Sequence, residues 1–125
     1  MSRGPRPVTA LIEARGIAQK RGIVQVNGEN PESLYDFAIV PAGSVAFVRV
    51  KYAPRVLCPN TDLAGEYCTD IARLAMLPVD TAVSRELWLR SKHGTWRFFR
   101  VAGESLVELT REGALRTGPV GRRGS

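Results

Sequence analysis

Along this chain apolar residues alternate or cluster in five short extended stretches and recur at helical spacing in two others. Thr9 stands where it would cap a short helix through Leu11, Ile12, Glu13 and Ala14, and Gly16 stands where a left-handed residue would end it. Ile23, Val24 and Val26 then lead into Asn27-Gly28, the pattern of a strand running into a turn. After the loop ENPES, Tyr35 to Val40 and Ser44 to Tyr52 are two β-rich runs joined by Pro41-Ala42-Gly43, which predicts a hairpin. In the second run Val45, Phe47, Arg49 and Lys51 share one face, and Ala46, Val48, Val50 and Tyr52 share the other. Apolar residues on both faces mark a central strand covered on both sides. Capping residues from Asn60 to Asp62 precede Leu63, Tyr67, Ile71 and Leu74, an amphipathic helix that Pro78 ends, with Glu66, Asp70 and Arg73 on its solvated side. The segment ELWLRSKHGTWRFFRV reads as a fourth and a fifth strand around Lys92-His93-Gly94, with Gly94 supplying the positive φ of a short hairpin loop. SLVELTREGAL, which follows, fits a short strand or a short helix.

These elements predict a single α/β domain over residues 9–116: a central mixed five-stranded sheet flanked by helices, in the order α-β-β-β-α-β-β. A flexible basic arm is expected over residues 1–8 and a flexible basic tail over 117–125. A length of 125 residues suits one hydrophobic core and one active surface.

Charge narrows the partner. Lysine plus arginine outnumber aspartate plus glutamate 18 to 12, a formal charge of +6, and such a field favours polyanions through counterion release. No apolar run approaches the ~20 residues that span a bilayer, and MSRGPRPVT lacks the apolar centre of a signal peptide, so a cytoplasmic protein with no membrane partner is expected. Cys58 and Cys68 are too few for a disulfide scaffold and have no histidine nearby to complete a zinc site, so both are expected as buried free thiols. No Walker loop, no GxGxxG and no nucleophile motif is present, which disfavours nucleotide hydrolysis, dinucleotide redox chemistry and acyl transfer. His93, the single histidine, reads as a tolerant turn residue.

One constellation points to chemistry. A metal-dependent nuclease needs carboxylates to hold divalent cations and commonly a lysine beside them. Asp36 opens one strand, Lys51 lies near the end of its hairpin partner, and Glu13 on the preceding helix could reach the same end of the sheet. Helix with glutamate, strand with aspartate, strand ending in lysine, then helix resembles the core of the restriction-endonuclease-like, or PD-(D/E)XK, superfamily. The likeness runs from about Val8 to Val101, and in size and basic charge the chain is similar to archaeal-type Holliday junction resolvases. The resemblance implies a divalent-metal-dependent DNA endonuclease, or a derivative of one that has lost catalysis. It implies Asp36 as a metal ligand, Lys51 as the residue that stabilises charge or positions water, Glu13 as an aid to the metal, and Mg2+ or Mn2+ as cofactor. Where the family carries an acid, this chain has Arg49, which repels a cation. Some relatives place that acid on the helix after the lysine strand, where Glu66 is the preferred replacement and Asp70 the alternative.

Arg85, Arg90, Lys92, Arg97 and Arg100 cluster in the last hairpin among Trp88, Trp96, Phe98 and Phe99. With Arg49 as an anchor for phosphate, the basic residues are the expected contacts to DNA, branched or damaged, or less readily to RNA, while the rings are assigned to packing. Without a metal site the same residues suit a nuclease-like nucleic-acid-binding domain. An exposed aromatic face would instead suit a homodimer or a protein-assembly module.

Overall fold

Ala10, Ala14 and Ala18 recur every four positions along α1 (Val8–Gln19), and all three are buried against the sheet. Burying Ala18 requires the helix to run past Gly16, the expected stop. Helix interiors tolerate a glycine at about 1 kcal/mol relative to alanine, and packing of the alanine stripe offsets it. The computed structural model describes residues 8–27 and 33–116. The expected arm, apart from Val8, the expected tail and most of the ENPES loop lie outside the described residues.

Three strands follow as an antiparallel meander: β1 (Ile23–Val26), β2 (Phe37–Val40) and β3 (Val45–Tyr52). The β2–β3 register pairs Phe37 with Val48 and Ile39 with Ala46, as the Pro41-Ala42-Gly43 turn requires. A crossover through α2 (Asn60–Glu66) and α3 (Cys68–Leu74) then brings β4 (Val83–Arg90) parallel to β3. Parallel neighbours need such a connection, because a tight turn returns the chain antiparallel. The expected single helix is interrupted at Tyr67, with φ −109° and ψ 28°, yet Leu63, Tyr67, Ile71 and Leu74 all remain buried. β5 (Trp96–Ala102) and β6 (Ser105–Leu109) complete an open mixed sheet in the order β1-β2-β3-β4-β5-β6.

The sheet therefore has six strands where five were expected. Leu106 and Leu109 are both buried and stand three residues apart, a spacing a helix also satisfies; the strand is chosen by Gly103, whose φ of +63° closes a tight hairpin between Ala102 and Ser105.

Alternation divides the core in two. On the α1 side lie Phe37, Ile39, Val48, Val50, Trp88 and Phe98; on the α2/α3 side lie Leu63, Ile71, Leu87, Leu89, Phe99 and Val101. Cys58 and Cys68 are free thiols, but Cys58 is half-buried and Cys68 exposed, contrary to the expectation of two buried ones. Among the described residues no helix is long and apolar enough to cross a membrane.

Candidate nucleic-acid interface

Period-two alternation in β3 sends Arg49 and Lys51 to the α2/α3 face, and Asp36, the residue before β2, meets them there. Asp36 is fixed by its neighbours: its Oδ2 accepts the Val50 N–H at 2.7 Å, and its own N–H donates to the Val48 carbonyl at 2.7 Å. From α3, Asp70 reaches the same place. The Arg49 guanidinium lies between the two carboxylates, with Nη1 3.6 Å from Asp36 Oδ1 and Nε 3.6 Å from Asp70 Oδ1. Lys51 Nζ stands 3.8 Å from the same Asp70 oxygen. Arg49 and Arg73 also both donate to the Ser33 carbonyl, each at 3.4 Å.

The formal charges of Asp36, Arg49, Lys51 and Asp70 cancel, and the ion-pair distances of 3.6 to 3.8 Å exceed those of charge-assisted hydrogen bonds. Lys51 is the most open of the four, with its side chain 39% exposed. Beneath them Tyr67 donates to the Tyr52 carbonyl at 3.0 Å. Burial, assisted by the nearby Glu66 and Asp70 carboxylates, pushes its phenol up to about 12, so it stays a neutral donor.

The other expected site residues lie elsewhere. Glu13 reaches the same end of the sheet but on the opposite face, where Arg90 grips it at 2.9 and 3.0 Å and the Trp96 indole donates to it at 3.1 Å. Those bonds, the Arg90 bond first, hold its carboxyl below the usual range. Glu66 pairs with Arg55 at 3.2 Å on the surface, so Asp70, one turn on, is the helix carboxylate that joins the cluster.

Among the expected contacts, Arg97 is fully occupied inside the protein. It pairs twice with Glu108, at 3.0 and 2.7 Å, and binds the Val56 and Cys58 carbonyls and Asn60 Oδ1. All five guanidinium N–H groups are thereby used. Arg90 is held by Glu13, Lys92 is exposed at its hairpin tip, and Arg85 and Arg100 line a cavity at the other end of β4. Of the rings, Trp88, Phe98 and Phe99 are buried and Trp96 is half-buried, stacked on Phe98.

A divalent cation held between Asp36 and Asp70 would have to displace the Arg49 guanidinium and then sit beside the Lys51 ammonium. As folded, this donor set does not fit Mg2+ or Mn2+. Among the described residues no group of three or more His, Cys, Asp or Glu is placed to hold a metal ion. No family model matches the chain, and no curated protein and no solved structure matches it.

Proposed function

We propose that this chain is a nucleic-acid-binding domain of the restriction-endonuclease-like type in which Arg49 stands in for the metal, so that it binds DNA without cutting it. The observation that carries the reading is the Arg49 guanidinium seated 3.6 Å from both Asp36 and Asp70, beside Lys51. Two bare carboxylates would repel a phosphodiester; the resident guanidinium offsets one of their charges and the Lys51 ammonium the other, with no cation from solution. Lys51, exposed at the rim, then supplies the contact to phosphate, and the net charge of +6 supplies the long-range attraction. The chain order supports the same reading: α1, a strand opened by Asp36, its hairpin partner ending near Lys51, and a helix carrying Asp70.

One gel assay tests it, with linear, single-stranded and four-way-junction DNA in magnesium, manganese or EDTA. The wild type is expected to give a salt-sensitive shift in EDTA and no cleavage. Lys51→Ala should weaken the shift roughly tenfold, the loss of one charge-assisted contact. Arg49→Gln should weaken it further, and magnesium should restore part of the loss, since the freed carboxylate pair then has a cation to share. Magnesium-dependent cutting abolished in Asp36→Ala would replace this reading with an endonuclease that uses Asp70 as its second acid. No shift with any DNA would end the nucleic-acid reading.

A further inference from the structure

Two rings stand beside Arg49 and Lys51 on the same face of the sheet. Phe47 precedes them in the alternation of β3, and alternate residues of a strand sit roughly 6.6 Å apart, so the three form one row on the α2/α3 face. Tyr35, the residue before Asp36, lays its ring 4.8 Å from that of Phe47, tilted by 59°. Contact with Phe47 and with the α2/α3 core fixes the side of the sheet on which it lies. The row and the ring pair are tied together a second time, because Arg49 donates to the carbonyl of Ser33, two residues before Tyr35.

Neither ring is closed in. Tyr35 and Phe47 are both half-buried, whereas Phe37, Trp88 and Phe99 are fully buried. Among the described residues the Tyr35 hydroxyl makes no hydrogen bond within the protein and keeps contact with water. A tyrosine placed for packing buries its ring and ties its hydroxyl, as Tyr67 does with the Tyr52 carbonyl; an apolar ring with a wet edge belongs to a contact surface. Further apolar surface adjoins the pair: Ile23 and Val40, in register on β1 and β2, lie exposed on the same face. Arg85, in register with Phe47 on β4, binds only the Ala75 and Val101 carbonyls among the described residues, so it adds positive charge to this face without an acid to cancel it.

Resting on the nucleic-acid reading of Lys51, we propose that the Tyr35 and Phe47 rings are a stacking platform for an unpaired base, so that the domain prefers single-stranded to duplex DNA. Bases inside a duplex are stacked on one another and have no face to give a protein ring, whereas an unpaired base does. Phe47 and Lys51 stand four residues, about 13 Å, apart along β3. One strand covers that span with a base on the rings and the phosphate of a neighbouring nucleotide on the lysine.

Fluorescence anisotropy in EDTA tests it, with a labelled oligothymidylate, a duplex of the same length, and a strand of that length built from abasic sites. The oligothymidylate is expected to bind about tenfold more tightly than either of the others, the contribution of one stacked base. The abasic strand keeps the phosphates and needs no altered protein, so its result is independent of how any variant folds. Tyr35→Leu should weaken the oligothymidylate about tenfold and leave the duplex and the abasic strand unchanged, while Tyr35→Phe, which keeps the ring, should bind as the wild type does. Lys51→Ala should weaken all three, because each carries phosphates. Equal binding of the abasic strand and the oligothymidylate, or of duplex and single strand, overturns the stacking platform and leaves DNA binding through Lys51 standing. Binding of none of the three overturns the nucleic-acid reading and the platform with it.

Discussion

Two arginine–carboxylate clusters sit on opposite faces of one sheet and are built to different tolerances. On the α1 face, Arg21 grips Glu86 with two bonds of 3.0 Å, while Ser84 and Trp88 donate to the same carboxylate at 2.8 and 2.9 Å. Glu86 is 1% exposed. Even the backbone closes over the pair: Gly113 has φ +93°, and a Cβ there would fall 2.6 Å from Arg21 Nη2. On the α2/α3 face, Arg49 stands off both of its carboxylates at 3.6 Å. A saturated, buried network holds one arrangement, whereas a loose cluster that opens to solvent at Lys51 can exchange partners with a ligand at lower cost. The tight pair is accordingly built as a structural fastener, and the loose one is where the proposed DNA contact falls.

The largest effect should come from breaking the tight cluster. Arg21→Ala leaves the Glu86 carboxylate buried without its cation and should cost about 3 to 5 kcal/mol in urea denaturation. Replacing both partners with apolar residues, Arg21→Met with Glu86→Leu, should recover most of that loss, because the expensive state is the unpaired buried charge. A loss under about 1 kcal/mol in the single variant would erase the distinction between the faces. The corresponding cut in the loose cluster, Arg49→Gln, should cost no more than about 1 kcal/mol, as for partly exposed ion pairs, while DNA binding falls. A large stability loss there would make Arg49 a fastener as well.

The comparison also explains what the sequence made legible. Period-two alternation in VAFVRVKY placed Arg49 and Lys51 on one face correctly, because strand geometry alone fixes that. It could not place Glu13: reach along the sheet was readable, but the buried stripe of Ala10, Ala14 and Ala18 turns α1 to the face away from Arg49. The choice between Glu66 and Asp70 was equally closed to inspection. Both immediately precede a buried residue, Tyr67 and Ile71, and the choice falls to the helix break at Tyr67 and the path of the crossover. Arg97 looked like its neighbours in the hairpin until Glu108 and the carbonyls of Val56 and Cys58, up to 41 residues away, were seen to use it. Glu86 gave no warning either, since an isolated acid in an apolar strand shows its partner Arg21, 65 residues distant, only in three dimensions.

The smallest predicted effect concerns the third pair, Glu13–Arg90, whose bonds are as short as those of Glu86 but whose glutamate is 43% exposed. Short bonds without burial should behave as a titratable surface contact. The Arg90 bond lowers the Glu13 carboxyl below its ordinary value of 4.5, so the folded state favours the ionised form more than the unfolded chain does. Its stabilisation is therefore fully present above that value and is lost as pH falls through the lower, folded value. Thermal melts of wild type and Glu13→Gln should differ by a few degrees or less at neutrality, and the difference should close as pH drops well below 4.5. Because Glu13 lies on the face away from Lys51, DNA binding at neutral pH should be the same in both proteins. A pH-independent difference in melting would mean that the glutamate contributes by packing and not by charge, and a loss of DNA binding would mean that the two faces are coupled through the end of the sheet.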